Sequence, residues 1–120
     1  MALHLFDSEL RLMELLWAQA PVSARALSLA AADSLGWNKN TTYTVLKKLV
    51  DKGFVQRQEP NFICVPLIDR KQVAREETDS LIRKLYGGSK KAFFAAFLEE
   101  EQLSDRELQE LRALIDGYEK

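Results

Sequence analysis

The sequence is short of the residues that most enzymes and metal proteins are built on. It has one cysteine and one histidine among 120 residues. Cys64 cannot form an internal disulfide, and it has no second thiol at a metal-binding spacing. His4 stands alone near the start of the chain, and no glycine-rich phosphate loop occurs. Glu99, Glu100 and Glu101 read more simply as a charged helix end than as a metal site. No catalytic residue, no metal ligand and no cofactor is therefore expected, and the protein is not expected to be an enzyme. Long apolar runs are missing too. The longest, Ala92 to Leu98, is far below the roughly 20 residues that cross a bilayer. Residues Met1 to Leu10 lack a basic n-region and soon meet Asp7 and Glu9, which argues against a signal peptide. A cytoplasmic protein without membrane insertion is the expectation.

Charge of one sign is also lacking overall, at a formal net −1, but its distribution is uneven. From Gly36 to Pro60, Lys39, Lys47, Lys48, Lys52 and Arg57 face only Asp51 and Glu59, a local excess of +3. From Glu99 to Lys120, eight acidic residues face three basic ones, an excess of −5. Such asymmetry suggests that one part meets an anion and the other does something else.

What is present is a series of helical patterns interrupted once by β-prone sequence. A first helix is expected from Asp7 or Ser8 to about Ala20, stopped by Pro21, with Leu10, Met13, Trp17 and Ala20 sharing a core face that Leu16 widens. Trp17, at helical spacing beside Met13, reads as core rather than as a ligand platform. Val22 is a short extended link. Ser23 caps a second helix to about Leu35, with Gly36 just past its end. Asn38 or Asn40 caps a third, from about Asn40 to Lys52, with Thr42, Val45, Leu46 and Leu49 inward. Two β-prone runs, Phe54 to Gln58 and Phe62 to Val65, flank Glu59-Pro60-Asn61 and make a hairpin. Asp69 caps a fourth helix to Tyr86, marked by Val73, Leu81, Ile82 and Leu85. Ser89 starts a fifth, Lys90 to about Glu101. Ser104 and Glu107 are spaced as a capping box for a sixth, Asp105 to Gly117, with Leu108, Leu111, Leu114, Ile115 and Tyr118 as its stripe.

Three short helices followed by a hairpin is the order of a winged helix-turn-helix. The expected fold class is mainly α with a small β-hairpin wing: a winged helix-turn-helix over 1–68, then a three-helix dimerisation region over 69–120. With its apolar face inward, the third helix presents Asn40, Thr41, Tyr43, Thr44, Lys47 and Lys48. Those side chains can bond base edges or phosphates, and Arg57 would arm the wing. Threonine is a poor helix former, so the run Thr41, Thr42, Tyr43, Thr44 costs helix stability unless it has a use. The expected partner is double-stranded DNA. Downstream, Phe93, Phe94, Phe97 and Leu98 on one short helix would leave a large apolar patch on a monomer. Together with Leu81, Leu85, Leu108, Leu111, Leu114 and Ile115 they are the expected homodimer surface, unless these helices fold back on their own winged helix. A winged-helix module that binds protein, or a ligand-responsive regulator of another winged-helix family, is the alternative reading.

Several segments together resemble a known family. Trp37 to Gly53 (WNKNTTYTVLKKLVDKG) looks like the recognition-helix region of the penicillinase repressor (BlaI/MecI/CopY) family, and Glu9 to Trp17 is similar to its first helix. Pro66-Leu67, Gly87-Gly88-Ser89, and Leu103-Ser104 with Glu107, Glu110 and Leu111 fit as well. The resemblance implies a dimeric bacterial repressor that binds an inverted-repeat operator and dimerises through its C-terminal helices. Some members are relieved through a membrane sensor-protease pathway that leads to a cut at an Asn–Phe bond. The corresponding bond here is Ala96-Phe97, where the Asn is absent and the spacing from Gly87-Gly88 is one residue longer. The paired-cysteine motif of the copper-sensing branch is absent too, because no cysteine follows Cys64.

Overall fold

In a computed structural model, residues 4–100 and 102–118 are described. Six helices and three short strands follow in the order α1 (Asp7–Gln19), β1 (Val22–Ser23), α2 (Ala24–Leu35), α3 (Lys39–Asp51), β2 (Val55–Gln58), β3 (Ile63–Pro66), α4 (Arg70–Tyr86), α5 (Lys90–Glu100) and α6 (Asp105–Asp116). Glu101, the expected last residue of α5, lies outside the described residues. The chain divides into two compact units, Met1–Glu77 and Thr78–Lys120.

The first unit is built around one apolar core. Leu12, Met13 and Leu16 of α1 meet Leu27 and Ala31 of α2 and Val45, Leu46 and Leu49 of α3, with Phe54, Val55 and Cys64 from the hairpin. The inward face of α3 is the expected one, including Thr42, which is fully buried. Its hydroxyl donates to the Asn38 carbonyl (3.3 Å), so a polar atom in the core keeps a partner. The inward face of α1 differs from expectation. Glu9, Leu12, Met13 and Leu16 are its buried residues, whereas Leu10, Trp17 and Ala20 are only half-buried on its flank. The face is rotated because a carboxylate, Glu9, occupies one of its inward positions. Trp17 is anchored all the same, donating from Nε1 to the Ile68 carbonyl at 2.9 Å.

Local chemistry sets the ends of these elements. The Ser23 hydroxyl accepts from the Ala26 N–H, and Gly36 closes α2 in the left-handed region at φ 69°, a conformation that glycine adopts without strain. The Asn38 carboxamide oxygen accepts from the Thr41 N–H (2.8 Å), which decides which of the two asparagines caps α3. The Asp69 carboxylate accepts from Gln72 N–H (2.7 Å) while the Gln72 side chain accepts from Asp69 N–H (2.9 Å), a reciprocal cap for α4.

Val22 and Ser23 are more than a link. They pair with Cys64 and Ile63, so the sheet is three-stranded and antiparallel with β3 in the middle. The hairpin itself registers Val55 with Pro66 and Gln58 with Ile63, so Pro66 is the last paired residue of β3. The turn takes in Phe62 as well as Glu59-Pro60-Asn61, with Asn61 and Phe62 both at positive φ. The first turns of α4 belong to this unit, beyond the expected boundary after Ile68, because Val73 is buried in the same core and Arg70 pairs with Glu14 (3.1 Å).

The second unit has no comparable interior. Among its described residues only Ile82 is buried, and neither α5 nor α6 buries a single side chain. The expected capping box of α6 is present: the Ser104 hydroxyl accepts from Glu107 N–H and the Glu107 carboxylate from Ser104 N–H, each at 3.1 Å. The Ser89 hydroxyl likewise caps α5 through Ala92 N–H (3.0 Å). Gly87 and Gly88, both at positive φ, end α4, with Gly88 N–H returning to the Ile82 carbonyl.

Candidate nucleic-acid interface

The outer face of α3 and the hairpin beside it gather most of the candidate DNA-reading residues. Asn40, Thr41, Thr44, Lys47 and Lys48 are exposed on α3, and Arg57 is exposed on β2. Tyr43 is not free as expected. It is half-buried, and its ring meets Phe62 edge to face with centroids 6.3 Å apart. The tyrosine therefore ties α3 to the hairpin turn rather than standing clear of the surface.

Two shallow grooves meet at Tyr43. One, of about 370 Å³, runs between α3 and the hairpin and is lined by Tyr43, Lys47, Val50, Asp51, Arg57 and Phe62. The other, of about 290 Å³, lies at the turn between α2 and α3, where Arg25, Trp37, Asn38 and Lys39 approach Tyr43. Arg25 and Lys39 were not expected at the interface. Lys39 sits 5.8 Å from the centre of the Tyr43 ring, in reach of a cation–π contact. Their signal in the sequence was faint: an arginine just after the Ser23 cap, and a lysine just after the Asn38 cap.

Hydrogen bonds inside the site define what each group can still offer. The Thr44 hydroxyl donates to the Asn40 carbonyl at 2.8 Å. Its proton is thereby committed, leaving lone pairs and a methyl group facing outward. In the hairpin, Arg57 lies over the Phe62 ring at 3.9 Å and its Nε donates to Glu59 at 2.9 Å. That hydrogen bond, with the guanidinium charge beside it, holds the Glu59 carboxyl below its ordinary pKa despite some burial cost. Gln56 and Gln58 bond each other (3.1 Å). Lys52, the C-cap of α3, turns away to Glu9 at 2.7 Å.

Nothing in the interface resembles a catalytic centre. Cys64 lies inside the sheet, where burial pushes its thiol up to about 11, so it is not a thiolate near neutrality. No cluster of three metal-ligating side chains occurs among the described residues, and none of their helices is long and apolar enough to cross a membrane.

The candidate dimerisation residues divide by exposure. Leu81, Leu85, Phe94, Phe97, Leu98, Leu108, Leu114 and Ile115 are exposed, while Phe93 and Leu111 are half-buried. The Phe93 ring packs on Tyr86 and Phe94 at 5.5 and 5.3 Å. Between α5 and α6 the exposed side chains line an apolar groove of about 660 Å³.

The sequence profile of the penicillinase repressor family matches residues 5–117. The chain belongs to the penicillinase repressor family. It is 25% identical over 114 residues to the penicillinase repressor of Bacillus licheniformis, covering 93% of this chain and 89% of that one. It is 26% identical over 112 residues to the methicillin resistance regulatory protein MecI of Staphylococcus aureus, covering 92% and 91%. Among solved structures it is similar to the solution structure of the Bacillus licheniformis BlaI monomeric form in complex with the blaP half-operator. The TM-score is 0.52 at 22% identity, over 60% of this chain and 90% of that chain. That likeness establishes the winged-helix fold. The family is one of DNA-binding transcriptional repressors and not of enzymes.

Proposed function

We propose that this repressor binds an inverted-repeat operator as a two-fold dimer, with α3 in the major groove and the β2–β3 hairpin on the neighbouring backbone. The observation that carries the reading is the uninterrupted exposed face of Asn40, Thr41, Thr44, Lys47 and Lys48, flanked by a hairpin that holds Arg57 out. The first-turn residues of a recognition helix reach base edges, and lysines one turn later meet phosphate. With its proton committed to Asn40, Thr44 suits a base that donates from an exocyclic amine, adenine or cytosine, or a thymine methyl. Arg57, with Lys47 across the groove, suits a phosphate. Tyr43 acts as the brace between helix and wing. The relative solved with a half-operator supports the same use of the fold, and the cytoplasm, where bacterial DNA lies, is the compartment this requires.

Residues 1–68 are the DNA-binding part in this reading, and the helices from 69 onward make the dimer. The exposed leucines and phenylalanines of α4 to α6 support that role, because apolar surface of this density on a soluble chain is normally covered. A second copy related by a two-fold axis would cover it and present two reading helices about one DNA turn apart. Selection from a random pool of duplexes tests the proposal. Enrichment of an inverted repeat is the expected result, and a pool without one rejects it.

A further inference from the structure

The most buried charge among the described residues lies outside the reading face but is tied to it. Glu9, in the first turn of α1, has a side chain only 1% exposed. Its Oε1 accepts from the Phe6 N–H at 2.8 Å and from the Lys52 ammonium at 2.7 Å. Lys52 is the C-cap of α3, and its ammonium lies 4.7 Å from the centre of the Phe6 ring. The end of α3 is therefore fixed by a carboxylate, an aromatic face and the start of α1. Glu9 Oε2 is buried with no hydrogen-bond partner among the described residues.

An ion pair of this kind is a poor device for stability. Removing a carboxylate from water costs more than one good hydrogen bond returns, and a half-satisfied one is worse than an apolar pair. What it does supply is direction, because a placement of α3 that takes the ammonium out of reach leaves the carboxylate buried and unpaired. Residues lost from a ridge of leucines can be replaced by sliding; a buried charge allows no such slippage.

We infer that Glu9 is a positioning residue for DNA recognition: through Lys52 it sets the angle at which α3 meets the groove, and Lys52 is not a phosphate contact. The inference rests on α3 being the reading helix. It also divides the basic residues of this stretch by task, with Lys47 and Lys48 facing outward and Lys52 acting inward.

Glu9→Gln tests it by sign. The substitution removes a negative charge and frees a cation at the end of the reading helix, so electrostatics alone predicts tighter binding to any DNA. Positioning predicts the reverse for the selected operator: specific affinity falls about tenfold, while affinity for unrelated duplex is held or slightly raised. The ratio of the two does not depend on how much of the sample is folded, so simple destabilisation leaves it unchanged. Lys52→Met lowers the same ratio and leaves the slope of log affinity against log salt as in the unaltered protein; a phosphate contact would reduce that slope by about one per subunit, so by about two for the bound dimer. Should either single variant fail to fold, Glu9→Met combined with Lys52→Met replaces the pair by apolar side chains. Its ratio is also expected to fall. An unchanged ratio in a folded variant, or a reduced salt slope for Lys52→Met, overturns the inference. Failure of the unaltered protein to prefer any operator would instead reject the reading on which it rests.

Discussion

The two units use their apolar residues in opposite ways. From Leu5 to Val73 most of the large apolar side chains form one interior, with Phe6, Leu29 and Leu67 left exposed. The outward positions of α3 carry amide, hydroxyl and ammonium groups with one carboxylate, Asp51. Beyond Thr78 the order is reversed. Phe94, Leu98, Leu114 and Ile115 are about half exposed or more, and the only buried side chain among the described residues is Ile82. A stretch of about 40 residues is below the size at which a chain normally builds its own core. The first unit is thus complete by itself and offers polar chemistry, while the second is incomplete and offers surface.

Breaking that surface should have the largest effect. Phe97→Glu together with Leu114→Glu puts two charges on the walls of the groove between α5 and α6. Sedimentation should then report a monomer at concentrations where the unaltered chain is a dimer. Operator affinity should fall by about a hundredfold or more, because binding of the second half-site is no longer intramolecular. The helical signal of the first unit should persist. A variant that still sediments as a dimer would place the subunit contact elsewhere.

A smaller effect separates core from surface within each unit. Leu46 is fully buried and Leu114 is 58% exposed. Leu46→Ala should cost about 2–5 kcal/mol in urea unfolding, the same at every protein concentration. Leu114→Ala should cost less than about 0.5 kcal/mol in dilute, monomeric protein, and progressively more as concentration rises and the dimer contributes. If the cost at Leu114 ignored concentration, the second unit would be covering its apolar face by itself.

How far the sequence was legible follows the same division. The helix ends could be read from Ser23, Gly36, Asp69 and Ser104, because each is a local device needing only neighbours along the chain. The inward face of α3 was readable because apolar residues repeat at helical spacing. The face of α1 was not, since Glu9 counts as polar in any hydrophobic pattern and is buried only because Lys52, 43 residues away, meets it. Pairing of Val22 with Cys64 was hidden for the same reason: two residues carry no strand signal until a third strand is beside them. In the candidate site, the exposed residues of α3 followed from the helical period. Tyr43 did not, because its partner Phe62 comes from the turn of the hairpin. Lys52, counted among the local basic excess, has its charge taken up by a residue from another helix.

The smallest effect expected concerns the polar side of the comparison. In the hairpin, Glu59 already holds the Arg57 guanidinium that a phosphate would need. Both side chains are more than half exposed, so the pair is weak and screened by salt. A phosphate must displace the carboxylate or share the arginine with it, and it is repelled by Glu59 in either case. Glu59→Gln should therefore tighten DNA binding by about two- to threefold, for specific and unrelated duplexes alike. Arg57→Gln in the same background should remove the gain. The pH dependence follows from the sign of the shift. The folded carboxyl is held below its usual value, so the pair is present above the ordinary glutamate pKa and is lost only as pH falls through the depressed one. The advantage of Glu59→Gln should therefore be constant between about pH 6 and 8 and vanish in acid, where the unaltered protein loses the same charge. Affinity unchanged by Glu59→Gln at low salt would mean that the hairpin does not touch the backbone, leaving α3 to carry the contact alone.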